Sequence, residues 1–225
     1  VKVFGLVLAG GRSSRFGREK AAADLAGRPL IAWVVDVLAQ GCAEVAVNAK
    51  AGSMAEAFAR GFGLTRLTDD PTDPEGPLAG VRAGLAWARA AGGDALVTAP
   101  CDTPFLPQNL TPRLMFAAHG GARAAVACTG EGLEPLCALW RVHNYQDTRG
   151  LSGAETAEGL GEAAPLDPEI LIAQAFATGR HPPMRDVLAK LAAVEVMFPD
   201  ARAFANLNTQ ADYIAAVRSA RAEPE

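Results

Sequence analysis

A helix needs about eighteen consecutive apolar residues to cross a bilayer, and no such run occurs in this chain of 225 residues. No membrane span is expected. Basic excess is missing too: 21 Lys and Arg stand against 25 Asp and Glu, for a net charge of −4. That balance excludes a nucleic-acid scaffold, which needs a basic surface. The four cysteines, at 42, 101, 128 and 137, form no C-x-x-C pair. With only His119, His143 and His181 beside them, the sequence argues against a zinc site. Reduced thiols packed as small apolar side chains are expected, as in a cytoplasmic protein. There is no internal repeat and no second-domain boundary. The chain opens directly on an apolar strand, so no leader segment is expected before it.

What is present is strand–helix alternation. Half of the residues are apolar, enough for one good core. The run Val3-Phe4-Gly5-Leu6-Val7-Leu8 reads as a fully buried strand. Asp24 to Pro29 reads as a turn, and Leu30 to Gly41 carries helical spacing. Strands follow at 45–48, 64–68 and 95–99, with helices at 53–61 and 78–91 between them. This predicts an α/β fold, a single Rossmann-like domain with a mostly parallel, doubly wound sheet over 1–225. Residues 1–106 form a nucleotide-binding half and 107–220 an acceptor-binding half. In the second half, 107–119 reads as a helix, with Pro107 near its start, and 122–128 as a strand. Leu136 to Trp140 reads as an antiparallel element. Residues 143–168 read as an insert, a surface loop first, with a lid or partner surface as its alternatives. Helices are expected near 168–178 and 184–192, a last strand at 194–197, and a closing helix capped by Asn208 or Thr209.

The first strand runs into Ala9-Gly10-Gly11-Arg12-Ser13-Ser14-Arg15-Phe16-Gly17-Arg18-Glu19-Lys20, whose residues 12–20 sum to +3. Glycines let backbone N–H groups approach an anion closely, and a buried strand feeding such a loop is how α/β proteins hold phosphates. Spacing excludes a P-loop, since no Ser or Thr follows Lys20, and a dinucleotide fingerprint, since Gly10, Gly11 and Gly17 do not match it. Arg12 and Arg18 read as solvated charges. Asn48, Asp69 and Asp102 fall at or just past the carboxyl ends of predicted strands, where such sheets bind ligands. A lone loop Asp is ordinarily a turn residue. Asp102, however, is fixed between Pro100 and Pro104 off the same edge as the glycine loop. Facing phosphates, it needs a cation, and Mg²⁺ held by one or two carboxylates, phosphates and water meets that need.

The opening loop resembles the nucleotidyltransferase signature L-A-G-G-x-S-x-R-M/F-G-x-x-K. Together with Asn48, Asp69, Gly76-Pro77-Leu78-Ala79-Gly80, Pro100-Cys101-Asp102-Thr103-Pro104, Glu134-Pro135-Leu136 and Asn206-Leu207-Asn208-Thr209, it is similar to the molybdenum cofactor guanylyltransferases. Enzymes of that family join GMP to molybdopterin. The resemblance runs from about residue 3 to about residue 217, interrupted by the insert. It implies GTP and molybdenum-molybdopterin as substrates, Mg²⁺ as cofactor, and transient contacts with cofactor-biosynthesis proteins and acceptor molybdoenzymes. It places Leu8, Ala9, Gly10 and Asn48 around guanine and ribose, and Gly11, Arg15 and Lys20 on the phosphates. Asp69 contacts the nucleotide, with Asp70 its alternative by one residue. Asp102 binds the metal, with Asn208 as a second ligand. Arg15, Lys20 and Asp102 are the catalytic set. Phe16 stands where Met is frequent and Glu19 where Asp is frequent. A phosphomonoester has its second pKa near ~6, so the attacking pterin phosphate is already ionised at neutral pH. No general base is required, which suits a chain without a His or Cys constellation. A cytidylyltransferase for the same pterin, a sugar-phosphate enzyme and a non-catalytic nucleotide or cofactor carrier are the alternatives.

Overall fold

The computed structural model of the chain describes residues 1–10, 21, 23–142, 167–207, 212 and 214. β1 (Val3–Leu8) is buried at all six positions. It pairs in parallel with β4 (Glu44–Asn48) on one side and β6 (Ala95–Pro100) on the other. A strand covered on both faces has no polar side to show, which is why its sequence is an unbroken apolar run. Beyond β4 lies β5 (Thr65–Leu67), again parallel. Beyond β6 come β8 (Gly132–Arg141), β7 (Ala124–Thr129) and β9 (Val194–Met197). The seven-stranded sheet therefore has the order β5-β4-β1-β6-β8-β7-β9. β8 is antiparallel to both neighbours, and β9 returns parallel to β7, so β8 alone is reversed. The doubly wound α/β fold expected from the alternation is the fold observed. A two-residue hairpin, β2 (Asp24–Leu25) with β3 (Arg28–Pro29), stands apart from the sheet. Its turn needs left-handed backbone at both centre residues, Ala26 at φ 55° and Gly27 at φ 84°.

Alternate residues of the central strands feed two cores. Val3, Val7, Val45, Val47 and Val97 meet α1 (Leu30–Ala39), α2 (Met54–Gly61) and α4 (Leu110–Ala117). Phe4, Leu6, Leu8, Ala46 and Leu96 meet α3 (Pro77–Ala90), α5 (Pro168–Phe176) and α6 (Met184–Lys190). Period-two alternation between layers is what a sheet with helices on both faces requires. Each fully buried Leu or Val contributes roughly 1.5–3 kcal/mol, so these two layers carry the stability. α5 is tied to α3 by Arg89, which bridges to Asp167 and Glu169. No helix among the described residues is long and apolar enough to cross a membrane.

Two boundaries differ from expectation. α4 begins at Leu110, not near Pro107, because the Pro107 carbonyl first accepts the Leu110 N–H in a separate turn. The antiparallel element is the ten-residue β8, which starts four residues before Leu136. Its first residues, Gly132 and Leu133, are exposed, so they set no buried-exposed alternation. α5 starts at Pro168, where the helix near 168–178 is expected, with Asp167 accepting from the Glu169 and Ile170 N–H groups as its cap. The rest of the insert, 143–166, lies outside the described residues.

Candidate active site

Parallel strands end on one edge of the sheet, and the chain places its polar residues there. Leu8 is level with Asn48 in the β1–β4 register, and the Ala9 N–H donates to the Asn48 carbonyl at 2.8 Å. The Asn48 side chain is buried, 3% exposed, so its amide must find partners inside. Its Nδ2 donates to Asp69 Oδ1 at 2.8 Å. α3 presses on the same amide through Gly80, where a Cβ would come within 2.5 Å of Asn48 Oδ1. Gly10 is the third neighbour: a Cβ there would lie 3.4 Å from Asn48 Oδ1 and 3.9 Å from Asp69 Oδ2. Gly10, Asn48 and Asp69 thus form one cluster at the ends of three neighbouring strands.

The alternative, Asp70, is turned elsewhere. Its carboxylate accepts from the Thr72 N–H at 2.8 Å and the Thr72 hydroxyl at 2.6 Å. Those two bonds hold its acid below the usual carboxylate range. Asp70 shapes the loop, and Asp69 faces the cluster. Arg82 of α3 pins that loop through Asp73.

Asp102 lies two residues past β6. The Cys101 N–H donates to the Leu8 carbonyl at 3.1 Å, carrying the β1–β6 pairing one residue further. The Thr103 hydroxyl closes back on the Pro100 carbonyl at 3.1 Å, and Thr103 and Pro104 are buried. The Leu207 N–H donates to the Asp102 carbonyl at 3.0 Å, while the Leu207 side chain packs with Leu25 and Leu30. The stretch before Asn208 is thereby fastened to the Asp102 loop.

β8 closes the edge on the other side. Its register against β7 slips after Val126: Val126 faces Ala138, but Ala127 faces Glu134, so residues 135–137 bulge out of the ladder. Bulges re-aim side chains and gather beside active sites. A buried hydroxyl fixes this one. Thr98 Oγ1 donates towards the Leu136 carbonyl at 2.9 Å and the Ala138 carbonyl at 3.2 Å, and accepts from Trp140 Nε1 at 3.2 Å. Complete burial drives the Cys137 thiol far above its ordinary range, with the Glu134 and Asp102 carboxylates adding to it. Burial and the nearby Glu131 also raise the Glu134 acid.

Among the described residues no group of three or more His, Cys, Asp or Glu is arranged to hold a metal. The donor Asp102 offers is one carboxylate at a strand end, which suits a divalent cation that takes the rest of its oxygen ligands from water and a bound molecule. Gly11, Arg15, Lys20 and Asn208, together with Arg12 and Arg18, lie outside the described residues. The arrangement can seat a nucleoside beside Gly10, Asn48 and Asp69, and a phosphate chain towards Asp102. One contributor escaped the sequence reading: His181, whose Nε2 accepts the Leu78 N–H at 3.0 Å. The contact spans 103 residues, and no spacing pattern reveals it.

Comparison with known proteins follows this geometry. Residues 5–167 match the model of the MobA-like NTP transferase domain. A molybdenum cofactor guanylyltransferase of Cereibacter sphaeroides is 42% identical over 213 residues, 94% of each chain. The crystal structure of molybdopterin-guanine dinucleotide biosynthesis protein A from Archaeoglobus fulgidus superposes with a TM-score of 0.70 at 19% identity, covering 98% of this chain and 100% of that one. Rv0371c of Mycobacterium tuberculosis, solved in complex with manganese, superposes with a TM-score of 0.57 at 15% identity, covering 97% of this chain and 100% of that one.

Proposed function

The chain belongs to the MobA-like NTP transferase family and is a nucleotidyltransferase; from that premise we propose that it transfers GMP from GTP to the terminal phosphate of molybdenum-molybdopterin, releasing pyrophosphate and forming molybdopterin guanine dinucleotide. The observation that carries the reading is the cluster of Gly10, Asn48 and Asp69 on the edge that also bears Asp102. Guanine presents N1–H and N2–H₂ donors on one edge and the O6 acceptor beside them. The Asp69 carboxylate supplies the matching acceptor, and the backbone of Leu8, Ala9 and Gly10 meets the rest of the nucleoside. Cytosine and adenine carry a ring acceptor where guanine has N1–H, so they would set a lone pair against a carboxylate.

The chemistry follows from position. The pterin's terminal phosphate attacks the α-phosphate of GTP in line, the new P–O bond forms, and pyrophosphate leaves with the electron pair of the old one. The nucleophile is ionised at neutral pH, so the residues orient and neutralise; they do not abstract a proton. Gly11, Arg15 and Lys20 hold the triphosphate. Asp102, with Asn208, would hold Mg²⁺, which when bound supplies positive charge to the phosphate oxygens. Glu134 and the bulge behind it lie in the acceptor half. The four cysteines form no disulfide, which supports a cytoplasmic setting.

The test is calorimetric titration with GTP, CTP and ATP in the presence of Mg²⁺, followed by pyrophosphate release with molybdopterin. GTP should bind and react, with the other two poor; sites built on such hydrogen bonds discriminate by up to ~10⁴–10⁵. A preference for CTP would move the assignment to a cytidylyltransferase. Binding without pyrophosphate release would make the chain a carrier.

A further inference from the structure

α3 begins in an unusual way. Its first residue is Pro77, which has no N–H, and its cap is Gly76, which has no side chain to offer. The first N–H groups of a helix have no partner within it. The Ala79 N–H turns back to the Gly76 carbonyl at 3.1 Å, and the Leu78 N–H is taken by His181 Nε2 at 3.0 Å. His181 sits between α5 and α6, far along the chain, followed by Pro182 and Pro183. Its ring crowds the Gly76 backbone: a Cβ there would come within 2.3 Å of ring atoms. Gly76 also holds φ 152°, which only glycine adopts comfortably. On its far side the ring meets Phe176 of α5, centroids 5.8 Å apart.

One turn further along α3 is Gly80, pressed on Asn48, which in turn holds Asp69. Chain segments about a hundred residues apart are thus linked in series: His181 to Leu78, Gly80 to Asn48, Asn48 to Asp69. We propose that His181 is a positioning residue for nucleotide binding, a clamp from the second half of the chain that seats α3 so that Asn48 and Asp69 keep the geometry a nucleoside requires. The proposal rests on the nucleotide reading given above.

The clamp needs a neutral ring. Nε2 acts as acceptor, so the proton sits on Nδ1. Protonation would turn Nε2 into a donor facing another donor, at the positive end of a helix. Burial holds the His181 pKa below its ordinary 6.5, opposed by backbone hydrogen bonds at Pro182, His181 and Gly76 and, less, by the Asp69 carboxylate across the β5–α3 loop. Phe176, Pro182 and Pro183 bring no charge to it. The clamp is therefore complete above pH ~6.5 and released as pH falls through the lowered pKa.

The experiment compares wild type, His181→Ala and His181→Gln by titration with GTP and Mg²⁺ between pH 5 and 8, with hydrogen exchange at the Leu78 amide. His181→Ala should bind GTP about tenfold more weakly at pH 7.5 and lose protection at Leu78. His181→Gln offers an amide oxygen that does not titrate and should restore both. GTP's own terminal phosphate titrates alike in every variant, so the ratio of wild-type to Gln affinity isolates the histidine; it should fall below pH 6.5. If wild type binds GTP and both variants match it at every pH, the proposal is overturned. If His181→Ala does not fold, a wild-type-to-Gln ratio that stays constant with pH overturns it equally. If wild type itself binds no GTP, the nucleotide reading fails and takes the proposal with it, a result told apart by the silent wild type.

Discussion

Asn48 Nδ2 donates to Asp69 Oδ1 at 2.8 Å, tying the last residue of β4 to the loop that follows β5. The bond commits one carboxylate oxygen and leaves Oδ2 on the side of Gly10. Asp69→Asn keeps the shape and can still present an oxygen to Asn48, but then turns an NH₂ towards the base. Hydrogen bonds to charged groups contribute about 1.5–3 kcal/mol, so GTP binding should weaken by roughly 10- to 100-fold, with ATP and CTP nearly unchanged. Asp70→Asn is the control, because its carboxylate serves Thr72. Equal losses at both positions in calorimetry would remove Asp69 from base selection.

Asp102→Asn removes a negative charge from a loop whose backbone is held by Cys101, Thr103 and Leu207 contacts. The fold should survive, with an unchanged unfolding midpoint. Guanylyl transfer should drop by ~10²–10³, the usual loss for one transition-state electrostatic group. Near-normal turnover at ordinary Mg²⁺ would exclude Asp102 from the reaction.

Lys20→Ala separates the outer phosphates from the nucleoside. GTP binding should weaken by about tenfold or more, as for a lost charge-assisted hydrogen bond, while GMP binding changes less. Equal losses for GTP and GMP in the same titration would show that Lys20 supports the loop and does not touch the β- and γ-phosphates.

Gly80→Ala places a Cβ 2.5 Å from Asn48 Oδ1, an atom that cannot swing aside without breaking the bond to Asp69. Overpacking of this kind costs about 1–3 kcal/mol. Urea denaturation should show that loss, and GTP affinity should fall with it. Retained affinity with lowered stability would mean that α3 moves away and the Asn48–Asp69 pair does not.

Thr98→Val tests the network behind the β8 bulge. It leaves Trp140 Nε1 buried without its acceptor, at a cost of about 1–3 kcal/mol. Thr98→Ser should recover most of that. Thermal unfolding of the pair, read by tryptophan fluorescence, checks the difference.

The sequence made the first half of the chain legible for a physical reason. Parallel strands covered on both faces appear as bare apolar runs, so Val3–Leu8 and Ala95–Ala99 stand out, and the polar residues that follow them mark the sheet edge. Asn48 and Asp69 became visible in the same way. β8 was only half visible because Gly132, Leu133 and Glu134 do not alternate with buried neighbours, and because the bulge breaks the period of two. Pro107 mimicked a helix start, since proline opens both turns and helices. His181 was hidden entirely: its partner is a backbone N–H, which every residue but proline possesses.

The place of β1 in the sheet sets an order of events during synthesis. It precedes the sheet's other strands in the chain yet lies inside the finished sheet, with Phe4 opposite Glu44 on one side and Val3 opposite Ala95 on the other. One of its sides is covered after about forty more residues, while the other waits for a partner 92 residues downstream. At ~5–20 residues per second on the ribosome, that side stays bare for roughly 5–20 seconds. An apolar strand with an open edge is a template for unwanted pairing. The nascent chain therefore passes through a fixed interval of vulnerability that no substitution in the finished site can shorten. It closes when β6 arrives, carrying Asp102 just behind it.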